Sequence, residues 1–314
     1  MYKNVAGMEI IMLEWMTPQL DKSEWIRDII YDTGNRGSDV AFSSLYLLRN
    51  KYDIQLCNCK DSIIRHYNGR YGRFGYTFPI GNADIAKVLK LIEEDAQSRA
   101  ERLSFCLLTE EQKNLLEMYM PGRFEYTSNE GDSDYVYLKQ DLANLSGRAF
   151  HKKKNHFSKF KRTYPDYEFS QMGCNNREDA LEVAALWYDE HRELDDEQHG
   201  ALKEEFDIIT EAVNYADELK LRGGIIYVNN MPVAMTIASG INKDTCDIHF
   251  EKAVGEYAMN GGYAAINKLF AESLEEYKWI NREEDLGLEG IRKAKMSYHP
   301  KMIIKKYNAV LREA

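Results

Sequence analysis

Two periods of apolar residues alternate along this chain. Helical spacing is strongest in Asp84–Ala100, where Ile85, Val88, Leu89 and Ile92 share a face behind Asn82 as the expected N-cap. Lys22–Asp32 and Ser38–Asn50 are also expected helices. Short segments at Asp53–Asn58, Asp61–Tyr67 and the Gly-rich Gly72–Pro79 predict strands, as does Leu103–Leu108. Thr109, followed three residues later by Gln112, is a capping box that opens a helix ending near Pro121-Gly122. Phe124–Thr127 and Tyr135–Leu138 read as strands around the polar turn SNEGDSD.

The second half repeats the plan. Tyr167–Met172 predicts a strand, and Arg177–His191 and Leu202–Leu219 predict helices. Gly224–Val228 and Val233–Ser239 form an expected hairpin across Asn229-Asn230. Thr245–Ala253 is a third strand, and Asn260–Tyr277 a helix opening on Asn260-Gly261-Gly262. Trp279–Asn281, a short helix at Leu288–Lys295 and a last strand at Met302–Leu311 complete it. Two helices, a three-strand meander, a helix, a strand, a helix and a closing strand is the order of a GNAT-type acyltransferase core. Its double occurrence predicts an α/β (α+β) chain of two tandem GNAT-like domains, each a mixed twisted sheet flanked by helices. The expected division is 1–145, a basic connecting helix at 146–165, and 166–314.

Charge changes this picture at one place. The chain carries a formal net charge of -10, yet Arg148–Arg162 (RAFHKKKNHFSKFKR) contains Lys and Arg but no Asp or Glu. Such an island is either a phosphate or polyanion site or a charged linker helix that pairs with the acidic helices after it. The acidic balance elsewhere argues against wrapping DNA, which needs an extended basic surface. Cys57, Cys59, Cys106, Cys174 and Cys246 are scattered and odd in number, which reads as reduced thiols in a cytoplasmic protein with no metal site. Glu9 and Glu14 interrupt the apolar N-terminal run, so no signal peptide is expected. No apolar stretch of about 18 residues predicts a membrane span.

Several phrases are specific. They are GYTFPIG at Gly75–Gly81, GRF and DYVYL at Gly122–Phe124 and Asp134–Leu138, GRAFHKKKNHFSKF at Gly147–Phe160, NREEDLGLEGI at Asn281–Ile291 and RKAKMSYHP at Arg292–Pro300. Over most of its length the chain resembles soluble relatives of the phosphatidylglycerol lysyltransferase C-terminal domain. The resemblance implies two packed GNAT-like domains, as in the peptidoglycan-bridge aminoacyltransferases. Those enzymes move an amino acid from aminoacyl-tRNA to an acceptor.

The candidate chemistry follows these phrases. Arg148, Lys152, Lys153, Lys154 and Asn155 are expected to hold a phosphate or a tRNA acceptor end, while Phe150, Phe157 and Phe160 pack inward. Asn260, Gly261 and Gly262 open a helix whose N–H groups suit a pyrophosphate, although Met259 stands where a coenzyme A motif usually has Gln or Arg. Asp247, His249 and Glu251 fall on one strand face, with His249 or Glu251 as a general base. Asn281 and Arg282 follow a strand, with Arg282 suited to a carboxylate or phosphate and Asp285 to fixing it or binding an amino group. Lys293, Lys295, Tyr298 and His299 come close behind to neutralise charge. The chain therefore reads as an acyl- or aminoacyl-transferase, its donor an aminoacyl-tRNA or a coenzyme A thioester and its small-molecule acceptor an amine or hydroxyl. The alternative is a non-catalytic module that senses a small acidic ligand or a tRNA end.

Overall fold

A computed structural model describes residues 13–31, 33–191 and 196–313. Asp32, expected to end the first helix, and the first twelve residues of the expected N-terminal domain lie outside them, as does Ala314. Contacts group the chain into two units: 1–34, 48–132 and 304–314 in the first, 35–47 and 133–303 in the second. Both are discontinuous in sequence, and their borders differ from 145 and 165.

The first unit is built on a sheet of β1 (Ile54–Asn58), β2 (Ser62–Asn68), β3 (Phe74–Tyr76), β5 (Ser104–Leu108), β14 (Tyr307–Leu311) and β6 (Phe124–Ser128) in that order, with β4 (Ile80–Gly81) on β2. Among the described residues of this sheet, only β3 and β5 pair in parallel. The helix Ile85–Ser98 buries Val88, Leu89 and Ile92 in this unit's core with Phe105, Leu108 and Phe124. Its N-cap is Asp84, whose side chain accepts the Lys87 N–H, and not Asn82. The box at Thr109 and Gln112 forms with both reciprocal bonds.

The second unit carries β13 (Met302–Ile304), β7 (Asp134–Leu138), β12 (Trp279–Asn281), β11 (Thr245–Ala253), β10 (Met231–Gly240), β9 (Arg222–Val228) and β8 (Glu168–Gln171) in that order. The expected last strand, Met302–Leu311, is thus two strands in two different sheets. Strand β7, expected to close the first half, pairs with β12 instead. These are two mixed sheets with helices, the tandem GNAT-like class expected from the element order.

Two details of this sheet position everything that follows. Strands β11 and β12 pair in parallel over three residues only, Thr245–Asp247 against Trp279–Asn281. Beyond Asn281 the chain stays with β7: the Arg282 N–H donates to the Tyr135 carbonyl at 3.0 Å. Against β10, the register shifts between Ile237, opposite Phe250, and Ala238, opposite Ile248. His249 is therefore the extra residue of a β-bulge, a device that re-aims a side chain.

The basic segment forms the helix His151–Thr163 after a short turn at Arg148–Phe150, inside the second unit. Phe150 and Phe160 are buried and Phe157 half-buried, while Arg148, Lys152, Lys154 and Asn155 face solvent. At the start of the helix Gly262–Ser273, Gly261 has φ +102°, and a Cβ on it would lie 2.3 Å from the His156 carbonyl oxygen. Glycine is needed here on both counts. Gly261→Ala should cost at least about 1–3 kcal/mol from backbone strain, measured by chemical denaturation. An unchanged midpoint would mean that the two helices do not approach this closely.

Candidate functional site

The loop Asn281–Asp285 leaves β12 where its pairing with β11 stops. Asn281 is fully buried. Its side-chain amide donates to the Arg36 carbonyl at 2.7 Å and to Asp134 at 3.1 Å, and its oxygen accepts the Glu283 N–H at 2.7 Å. Asp134 in turn accepts the Ser38 N–H and hydroxyl at 2.8 and 3.0 Å. An ordinary carboxyl titrates at 3.8; burial, with a further push from Glu284, raises Asp134 to about 7 against these donors.

Two side-chain clusters flank this anchor. In the first, Arg282 meets Glu251 of β11 at 2.9 Å, both side chains nearly buried. Glu251 also accepts from Asn267 at 2.9 Å. The guanidinium carbon lies 4.8 Å from the ring centre of Tyr298 and 5.8 Å from that of Tyr137. Burial alone would lower its pKa, but Glu251 and the two phenols outweigh it, so Arg282 is held cationic. Its Nη1 is buried without a hydrogen-bond partner. The Lys153 ammonium sits 3.9 Å from the centre of the same Tyr298 ring. Burial first, then repulsion from Arg282, brings Lys153 down to about 8.

The second cluster surrounds the bulge. His249 Nε2 lies 2.9 Å from Ser239 Oγ and 3.1 Å from Ser43 Oγ, which also contact each other. Its Nδ1 lies 3.1 Å from Glu283 and 3.6 Å from Asp247. Ser44 reaches Asp247 at 3.4 Å. Burial and the neighbouring acids raise both Asp247 and Glu283 above the usual carboxylate range. Lys295 donates to the carbonyls of Arg282, Glu283 and Glu284, and burial lowers its pKa.

The expected site residues thus part company. Arg282, Glu251, Lys153 and Tyr298 come together. His249 turns instead to Ser43, Ser239 and Glu283. Asp285 is buried against Tyr135 at 2.6 Å, Arg292 at 2.7 Å and the Gly287 N–H at 2.8 Å, which outweigh burial and lower its pKa. Lys293 pairs with Glu289 on the surface, and His299 lies 3.0 Å from the Ala149 carbonyl oxygen. The N–H groups of Asn260 and Gly261 donate to the Glu256 and Ala258 carbonyls, and the Asn260 side chain donates to Tyr164. At Gly261 this helix start packs against the His156 backbone of the basic helix. Ser38, Ser43, Ser44, Asp134, Tyr137 and Ser239 also line these clusters, and the sequence pattern does not single them out. Isolated serines carry no spacing signal, although the DYVYL phrase held both Asp134 and Tyr137.

A mixed sheet whose parallel central strands pair over three residues and then part has the GNAT-like fold. The chain belongs to the family described as phosphatidylglycerol lysyltransferase, C-terminal, whose profile matches residues 32–310. A solved protein of unknown function from Bacteroides thetaiotaomicron is 34% identical, with 96% of this chain and 100% of that one covered and a TM-score of 0.89. L-PGS from Bacillus licheniformis is similar at 13% identity and TM-score 0.65, over 97% of this chain and 94% of that one. FemX is similar at 7% identity and TM-score 0.58, over 95% and 98%. At these lower identities the likeness is one of fold. An uncharacterised Mycoplasmoides gallisepticum protein is 21% identical over 57% of this chain, and the match spans 56% of that relative. Among the described residues no helix is long and apolar enough to cross a membrane.

Asp134 generates a prediction about pH. Its folded pKa of about 7 lies above its ordinary 3.8, so across that window the folded state binds the proton more tightly. Its contribution is fully present below about pH 4 and is lost as pH rises through about 7, by up to about 1.4 kcal/mol per pH unit. Asp134→Asn should flatten this slope, as read from urea denaturation across the window.

Proposed function

We propose that this protein is an aminoacyl- or acyl-transferase whose reaction centre is the cluster of Arg282, Glu251, Lys153 and Tyr298. The observation that carries the reading is the meeting of a loop cation and a basic-helix lysine over one tyrosine ring, with Arg282 Nη1 buried and unsatisfied. A buried unsatisfied guanidinium nitrogen is costly unless an acceptor meets it. The carbonyl oxygen of an activated ester suits it, and the charge that grows on that oxygen during attack strengthens the contact. Glu251 holds the guanidinium in place.

Lys153, with a pKa of about 8, is neutral in an appreciable fraction of molecules near neutral pH. It accepts the proton that an acceptor amine or hydroxyl must lose as it attacks. The new amide or ester bond forms on attack; as the ester bond to the donor breaks, the Lys153 ammonium returns the proton to the departing hydroxyl oxygen of the donor. The exposed Arg148, Lys152 and Lys154 continue from Lys153 along the same basic segment. Their chemistry supports aminoacyl-tRNA as the donor, since the phosphates near the acceptor end need cations beside the ester. The lysyltransferase description of the family supports an aminoacyl group as the one transferred.

Incubation with tRNA charged with a labelled mixture of amino acids, plus candidate amine and hydroxyl acceptors, tests the reading. Label should leave the tRNA for an acceptor faster than spontaneous hydrolysis. Lys153→Met should slow this by about a hundredfold or more while the melting temperature stays near that of the wild type. Binding of tRNA without any transfer would reduce the cluster to a recognition module. A separate measurement concerns the exposed lysines. Lys152→Ala with Lys154→Ala should weaken tRNA binding and reduce the slope of log affinity against log salt by about 1.4, if both meet single-stranded phosphates. An unchanged slope would return them to plain solvated positions.

A further inference from the structure

We propose that Asp247, His249 and Glu283 bind one divalent transition-metal ion. One ligand atom from each lies within 4.8 Å of the other two. His249 Nδ1 stands 3.1 Å from the Glu283 oxygen and 3.6 Å from the Asp247 oxygen. Around a tetrahedral ion with bonds of about 2.0–2.2 Å, neighbouring ligand atoms lie about 3.3–3.6 Å apart. The two distances from His249 are close to this range, and the two carboxylate oxygens, within 4.8 Å of each other, would need only a side-chain adjustment to close on an ion.

Two further observations point to a ligand. The first is the other face of the imidazole. Nε2 lies within hydrogen-bond distance of Ser43 and Ser239. A ring that donates from Nε2 to a hydroxyl presents the Nδ1 lone pair to the carboxylates, the orientation that outer-shell partners impose on metal-binding histidines. The second is Asp247. Its side chain is wholly buried, yet Oδ1 has no hydrogen-bond partner. The Asp247 oxygen that faces His249 Nδ1 is Oδ2, which also takes the Ser44 hydroxyl at 3.4 Å, so the orphaned oxygen is the other one of the same carboxylate. A cation between the three groups meets a carboxylate that the His249–Glu283 contact leaves half satisfied, and both of its oxygens can engage the ion.

The charge balance agrees. Asp134 and Glu284 add to the electrostatic load that Asp247 and Glu283 already place on each other. Lys295 faces these acids too, but its ammonium is spent on three backbone carbonyls. One imidazole and two carboxylates suit manganese, iron(II), cobalt or zinc, and lack the thiolate or thioether that selects copper(I). The bulge that places His249 between two serines and two carboxylates then has a purpose that the transfer cluster does not require. The ion would tie the loop after β12 back to β11 where their pairing ends.

Full-length protein, stripped with EDTA and dialysed, tests this with Co2+ followed by visible absorption and with Mn2+ followed by electron paramagnetic resonance. Saturable uptake of one equivalent is expected. Asp247→Asn and His249→Ala should abolish it, and Ser239→Ala, which keeps all three ligands, should weaken it by about 10–100-fold. Absence of saturable uptake of either ion by folded wild-type protein overturns the proposal. So does uptake that Asp247→Asn and Ser239→Ala both leave unchanged, which would put the ion elsewhere. The readout is binding alone, so it stands or falls independently of the transfer activity.

Discussion

The three-residue parallel contact between β11 and β12 governs the arrangement of the second unit. Had the pairing continued past Asp247, the residues after Asn281 would lie along β11 and their backbone groups would be spent on it. Instead the Arg282 N–H goes to Tyr135, and the loop turns with β7. The polar side chains of β11 beyond Asp247 are thereby left facing a loop rather than a strand. Asn281 makes this turn stable by tying the Arg36 carbonyl, Asp134 and the Glu283 N–H to one buried amide. A buried amide with its groups satisfied holds one geometry, since any alternative leaves donors or acceptors unmet.

The divergence separates two kinds of charge. On one side, Arg282 is paired with Glu251 and shares an aromatic ring with Lys153. On the other, Asp247 and Glu283 gather around His249. Arg282 and Glu283 are neighbours in sequence yet belong to opposite clusters, because Glu283 adopts a left-handed backbone (φ +57°) that turns the chain between them. The positive cluster suits a developing negative charge, and the negative one a cation. Chemistry that needs both an electrophile-stabilising cation and a firmly held loop can draw on these two clusters without mixing them.

The sequence by itself determined the local elements and the class. Helix Ile85–Ser98, the Thr109 box and the β9–β10 hairpin were legible because caps, periodicity and turn residues act within a few residues of each other. The basic helix and the NREED loop stood out through composition and the family resemblance. What lay beyond reach was non-local. Residues 35–47 join the second unit, and β7 and β14 each sit in the sheet that chain order did not suggest. A strand's pattern states that one face is buried, but not which neighbour buries it. His249 left the expected cluster because one inserted residue in the pairing of β11 with β10 redirected it, and such a bulge has no signature in a single sequence. The meeting of Lys153 with Tyr298 and Arg282, and of Ser43 with His249, likewise exists only once segments more than 100 residues apart have packed together.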